Sequence, residues 1–319
     1  QQMANLKELS RKPERFTGGH RACAGCSAPI VARMLMMAAD EPVVVGCATG
    51  CLEVTSTLFP YTSWNTPFIH SAFENSAATI SGVEAAYQSL KRQGKYDREV
   101  RFVAFGGDGG TYDIGLQSLS GAMERGHRML YICYNNEAYM NTGVQRSGAT
   151  MFGAETTTTP VGRKGYGKKQ FEKDLTAIMV AHGIPYVAQG SPSFWNDLIT
   201  KMQKALATDG PSFINVLAPC RLGWAFPPEE TIELGRLAVN TCAWPLYEVV
   251  NGEYKITYKP REKMPIEAYL KKQTKYRHLF RPGNEWMVPA FQKHVDEKWE
   301  RLLSLAGEPI PAKEPVTVG

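Results

Sequence analysis

The sequence predicts an α/β fold, a mostly parallel sheet with helices on both faces, extended by a C-terminal arm. Three observations predict it. Short apolar runs bounded by Gly, Pro or Asn alternate with longer amphipathic stretches. The short runs are near-continuously apolar, as strands covered on both faces require. The alternation then stops near Pro227, where the composition changes.

Taken in order, Pro29–Ala39 reads as a helix, with Pro29 suited to a first turn that needs no N–H there. Val43–Gly46 is the first buried strand and Asn75–Gln93 the next helix. Val100–Gly107, Ile114–Glu124 and Met129–Asn135 continue the strand–helix–strand order. Tyr139–Lys169 breaks it: crowded with Gly and Thr and without periodicity, it reads as a long ordered loop, and such loops tend to be functional. Helix Asp174–His182, strand Tyr186–Gln189, helix Phe194–Thr208 and strand Phe213–Pro219 resume the pattern. Beyond Pro227, Glu229–Ala238 and Pro289–Leu305 look helical, and Trp244–Lys259 looks like a hairpin turning at Asn251-Gly252. Lys259–Pro282 reads as an arm lying on another surface. The expected organisation is a main domain over 1–227 and an extension over 228–319 that packs on that core or on partner subunits.

The chain has 319 residues, 43% hydrophobic and 21% charged, enough for a large core. A net charge of +5 without a basic stripe argues against nucleic-acid binding. No apolar stretch has the length of a membrane span, and the N-terminal residues lack the apolar core of a signal peptide. A cytoplasmic, soluble protein is expected. The seven cysteines then read as metal ligands, catalytic groups or buried apolar residues rather than disulfides.

Gly106-Gly107-Asp108-Gly109-Gly110 follows a strand and precedes a helix. Such a turn lets backbone N–H groups approach phosphate oxygens, and a carboxylate in it can bind a bridging hard cation. The bland reading is a tight turn with a capping Asp. The next strand ends in Asn135-Asn136-Glu137-Ala138, and neighbouring parallel strands end on one sheet edge. Asp108, the Asn136 amide oxygen and the Ala138 carbonyl can therefore converge on one Mg²⁺, with Asn135 a turn residue.

Cys23 and Cys26 form a CxxC pair, while Cys51 and Cys220 each follow a predicted strand. Four thiolates suit zinc or a [4Fe–4S] cluster, and spacing does not choose between them. Cys133 and Cys242 read as buried apolar residues. Cys47 and Cys51 compete for one ligand position. Met34, Met36 and Met37 read as core, His20 and His70 as hydrogen-bonded structural residues, and Glu53 and Glu74 as caps or surface charges.

The segments Gly19–Cys26, Ala48–Val54, Phe59–Trp64, Ala72–Asn75, Phe105–Gly115, Glu137–Gly143 and Leu217–Cys220 together resemble the β subunit of pyruvate:ferredoxin oxidoreductase, of the 2-oxoacid:ferredoxin oxidoreductase family. The resemblance runs from about Gly18 to about Phe280. Ser27 and Asn135 depart from many relatives, but neither position holds a ligand in that family.

The resemblance implies the thiamine diphosphate-binding fold and a set of roles. Cys23, Cys26, Cys51 and Cys220 would hold a [4Fe–4S] cluster. Asp108, Asn136 and Ala138 would hold Mg²⁺ on the diphosphate, with Thr49, Gly50, Gly107 and Gly109 lining the cofactor pocket. Asn141 would face the reacting thiazolium and substrate. The implied reaction is oxidative decarboxylation of pyruvate with coenzyme A, electrons passing through the cluster to ferredoxin. Partner subunits of α, γ and δ type are implied, one supplying the glutamate that activates thiamine. An oxalate oxidoreductase, a non-redox thiamine decarboxylase and a zinc-stapled binding subunit are the rival readings.

Overall fold

The computed structural model describes residues 5–163 and 165–310. Its strands are β1 (Val43–Ala48), β2 (Phe68–Ser71), β3 (Arg101–Gly107), β4 (Leu130–Asn135), β5 (Tyr186–Gly190), β6 (Ser212–Leu217), β7 (Leu246–Val250) and β8 (Glu253–Tyr258). They form one sheet in the order β2-β1-β3-β4-β6-β5-β7-β8. The six strands from β2 to β5 are parallel; β7 and β8 add an antiparallel edge.

The N-terminal helices are α1 (Leu6–Leu9), α2 (Ser27–Ala38), α3 (Cys51–Ser56), α4 (Ser76–Arg92) and α5 (Leu116–Glu124). They are followed by α6 (Leu175–Val180), α7 (Trp195–Ala207), α8 (Arg221–Trp224), α9 (Thr231–Asn240), α10 (Ile266–Leu270) and α11 (Met287–Leu305). No helix among the described residues is long and apolar enough to cross a membrane.

Successive residues of a strand point to opposite faces, and each face has its own core. On β4, Leu130, Ile132 and Tyr134 join a cluster with α2 and α7. Tyr131 and Cys133 face the other way, toward α4, α5, α9 and α11. Burial on both sides is why the strands read as unbroken apolar runs.

Every strand expected from the apolar runs is present, within a residue or two. The hairpin turns at Asn251 and Gly252, with φ of 50° and 86°, the pair of positive angles that a two-residue turn demands. Several short elements escaped the pattern, among them β2, four residues and partly exposed, and α3, a short helix after a Gly. The helix expected from Ile114 is entered through a wide π-helical turn, Gly109–Ile114. The Lys259–Pro282 arm lies on this chain's own core, burying Ile266, Tyr269, Leu270, Tyr276 and Leu279. Tyr139–Lys169, Lys164 lying outside the described residues, holds no helix or strand. It nonetheless buries Ala149, Met151, Phe152 and Ala154.

Candidate cofactor site

Strands β1, β3, β4 and β6 are adjacent and parallel, so their carboxyl ends share one edge. The chain leaves β1 for β2 on one side and returns to β3 on the other, which opens a crevice at the β1–β3 ends. Four segments emerge there: Thr49–Cys51, Gly106–Gly110, Asn135–Ala138 and Ala218–Cys220.

Asp108 is fully buried. Its Oδ1 accepts the Asn136 backbone N–H at 3.1 Å and its Oδ2 the Ser147 hydroxyl at 2.5 Å. Burial pushes its carboxyl up to about 7, despite those two donors. One arm of the Asn136 side-chain amide lies 2.8 Å from Asp108 Oδ1 and 2.9 Å from the Ala138 carbonyl oxygen. With its NH₂ turned there, it donates to both. With its oxygen turned there, three oxygens crowd together with no hydrogen between them. Octahedral Mg²⁺, with oxygens at about 2.0–2.1 Å, sets neighbouring ligands about 2.9 Å apart, and the Asn136 position stands at that spacing from each of the other two oxygens. Glu137 makes it possible: its φ of 67° turns the chain so that the Asn136 side chain and the Ala138 carbonyl meet. A charged residue rarely adopts that conformation, which marks a local constraint.

A pocket beside this trio is lined by Thr49, Gly50, Gly107, Gly109, Ala138 and Asn141, among others. A Cβ on Gly109 would stand 2.4 Å from the Tyr139 ring, so only glycine lets the turn approach. Thr49 Oγ1 lies 2.7 Å from His70 Nε2, whose ring is 3.5 Å from Glu53 Oε2. Glu53 corrects an expectation: it is buried rather than a surface charge, and Thr57 Oγ1 donates to it at 2.7 Å. His20 also departs from expectation. It stacks on Phe16, and its buried Nδ1 lacks a partner in the described chain.

Cys23, Cys26, Cys51 and Cys220 line a second cavity of about 230 Å³, several times the roughly 30 Å³ of a water in the liquid. Burial, with added repulsion from the neighbouring thiols, pushes Cys26 up to about 11 and Cys51 up to about 12. Cys47 is buried in the core on β1, as are Cys133 and Cys242 in theirs, so Cys51 and not Cys47 reaches this cavity. Gly25 within the CxxC pair has φ of 73°, and a Cβ there would meet the Pro228 carbonyl at 2.5 Å. Ser27 Oγ donates to the Pro219 carbonyl at 3.0 Å, tying the pair to the end of β6. Among the described residues no three His, Cys, Asp or Glu converge as ligands of a single ion.

The two cavities share Cys51, Asn136, Met140 and Asn141 as walls, and the Asn141 side chain reaches the Cys51 thiol. Sequence reasoning missed the supports beneath. Trp224 Nε1 donates to the Asn136 carbonyl at 2.8 Å. Lys275 Nζ lies 3.9 Å from the centre of the Trp224 ring and 2.5 Å from Glu137 Oε2. Nothing in the arm's composition pointed to them, since a lysine in a basic segment reads as solvated.

A family described as thiamine pyrophosphate enzyme, C-terminal TPP binding domain, matches residues 44–216. Pyruvate synthase subunit PorB of Methanocaldococcus jannaschii is 55% identical over 91% of this chain and 97% of its own. The PorB of Thermotoga maritima is 50% identical over 98% and 99%. Ketoisovalerate oxidoreductase subunit VorB of Pyrococcus abyssi is 43% identical over 92% and 94%. The structure of a 2-oxoglutarate:ferredoxin oxidoreductase from Magnetococcus marinus has the same fold, with a TM-score of 0.55 at 19% identity over 74% of this chain and 82% of that one. Identity of this order along nearly the whole chain, on a thiamine pyrophosphate-binding fold, makes the chain a member of the 2-oxoacid:ferredoxin oxidoreductase family, an oxidoreductase β subunit of the PorB and VorB type.

Proposed function

We propose that this chain is the β subunit of a pyruvate:ferredoxin oxidoreductase and holds thiamine diphosphate, Mg²⁺ and one [4Fe–4S] cluster. The observation that carries this is the shared wall between an oxygen-lined pocket and a four-thiol cavity. A non-redox thiamine decarboxylase has no use for the second cavity. A zinc staple wants four sulfurs about 2.3 Å from one point, and iron against zinc content separates it from a cluster.

Asp108, Asn136 and the Ala138 carbonyl would hold Mg²⁺. Gly107, Gly109, Thr49 and Gly50 would line the cofactor, and Cys23, Cys26, Cys51 and Cys220 would hold the cluster. When bound, thiamine diphosphate supplies the chemistry of 2-oxoacid decarboxylation and the cluster a one-electron outlet. The chain's own residues position and seal. The buried carboxyl group of Asp108 would hold the cation at the phosphate end of the pocket. Met140 packs against Gly223 and closes the gap between the cavities. Asn141, its side chain at the Cys51 thiol, presents a polar edge where both spaces meet. Residues 1–227 carry both sites in this reading, and 228–319 form an extension that braces them.

Pyruvate is favoured as substrate because identity to pyruvate synthase subunits reaches 55%, against 43% for the ketoisovalerate subunit. Other subunits, coenzyme A and ferredoxin would complete the reaction. The test is anaerobic purification of the native complex, followed by thiamine, iron and zinc analysis and a panel of 2-oxoacids assayed with coenzyme A and a viologen dye. Thiamine and iron with pyruvate as the best substrate are expected. Zinc without iron, no thiamine, or preference for oxalate or a branched-chain acid would overturn the assignment.

A further inference from the structure

The hydroxyl of Tyr134 is an unexplained group at the centre of the cofactor pocket. Tyr134 is 1% exposed on β4, and its ring packs into the core shared with α2 and α7. Its Oη is buried without a hydrogen-bond partner in the described chain. The Leu52 amide lies beside the oxygen, which leaves the hydroxyl's own hydrogen without an acceptor. Buried hydroxyls are rarely left so, because their lost hydration is then uncompensated.

The surroundings show where that hydrogen points. A Cβ on Gly50 would stand 2.7 Å from Tyr134 Oη, and one on Gly107 would stand 3.3 Å from it. The hydroxyl thus fills the gap between the β1 turn and the β3 turn, and both turns carry glycine where they face it. Tyr134, Gly50 and Gly107 line one pocket. A phenol is protonated at neutral pH, so its hydrogen is available to donate.

Resting on the reading that this pocket takes thiamine diphosphate, we propose that Tyr134 donates a hydrogen bond from Oη to a diphosphate oxygen of the bound cofactor. The donor comes from β4, between the β1 and β3 turns. A phosphate oxygen only accepts, and this hydroxyl has only a hydrogen left to give.

The test uses the intact complex of wild type and Tyr134→Phe, stripped of cofactor by a chelator. Thiamine diphosphate with Mg²⁺ is then titrated by calorimetry, with melting and the cluster's electron paramagnetic resonance spectrum recorded before the titration. The phenylalanine keeps the ring's packing and removes the unpaired oxygen. The stripped variant should therefore melt no lower than wild type, yet bind thiamine diphosphate roughly ten- to a hundredfold more weakly, the usual span for a hydrogen bond to a charged group. That opposition of signs separates a lost ligand contact from a damaged fold. Equal affinity in the two proteins would overturn the proposal. So would a changed cluster spectrum with unchanged affinity, which would place the hydroxyl on the thiol side. Failure of wild type itself to bind the cofactor would instead sink the underlying reading of the pocket.

Discussion

Asp108 is a carboxyl group removed from water, to which Asn136 N–H and Ser147 Oγ–H donate. Burial outweighs them and holds it near neutrality at about 7, so a bound cation would find it half-ready and complete its ionisation. Asp108→Ala should lower retention of Mg²⁺ and thiamine diphosphate by more than about a hundredfold. Loss of an outer-shell partner alone costs about 10–100-fold in metal affinity, and a direct ligand is worth more. Cluster iron should be unaffected; normal cofactor retention in a dialysed sample would refute the role. The cysteines give a paired test. Cys51→Ala should remove cluster iron and the reduced-state paramagnetic signal, whereas Cys47→Ala should keep both, because Cys47 is sealed in the β1 core. The reverse outcome would exchange the two assignments. The residues proposed as ligands could be named from the sequence because each sits at a strand end or in a CxxC pair, positions fixed by chain order. Glu53 was misread, since a lone glutamate carries no sign that Thr57 and His70 will enclose it.

At the scale of elements, the loop that bears Asn136 and Ala138 is held by a residue far along the chain. Lys275 reaches it from the short helical turn Thr274–Phe280, pairing with Glu137 at 2.5 Å inside the protein, while its ammonium rests over Trp224. Trp224 ends α8, the helix that Cys220 begins, and its indole donates to Asn136. One strut therefore braces the oxygen trio and the thiol cavity together. Lys275→Met should destabilise the chain by about 3–5 kcal/mol, because it leaves Glu137 buried without its partner. Lys275→Met combined with Glu137→Gln should recover much of that loss while still weakening Mg²⁺ retention, since the left-handed turn at Glu137 loses its anchor. If the double variant held Mg²⁺ at wild-type affinity, the pair would be a stabilising feature only. Sequence patterns locate elements by local periodicity. They register α8 and the Thr274–Phe280 turn poorly, because each is short and defined by what it touches.

For the whole molecule, the same limit appears as a difference between the sheet and its clamps. The parallel sheet was legible because double-sided burial writes itself into every strand. How Tyr139–Lys169 becomes ordered was not, because its Phe152 packs on Phe291 of α11, and Phe171 and Glu172 just beyond it are held by the same helix, more than a hundred residues away. Phe171 stacks on His294 at 3.8 Å, and Glu172 accepts from Lys298 at 2.5 Å and lies 3.3 Å from His294. Burial alone would push Glu172 up; Lys298 and then His294 outweigh it and hold the carboxyl well below the usual carboxylate range. A folded-state value below the unfolded one stabilises the fold above the ordinary carboxylate pKa, about 4.3, and that contribution is lost as pH falls through and below it. Glu172→Gln should therefore cost about 3 kcal/mol at pH 7, where it takes the carboxylate partner from Lys298, and progressively less below about pH 4.5. Urea unfolding of both proteins at pH 7 and at pH 3.5 measures the gap. A gap that stays constant between the two would mean that α11 holds the loop by its aromatic contacts alone, with Phe171 on His294 and Phe152 against Phe291 sufficient to keep the arm of the chain that carries Asn141 in place.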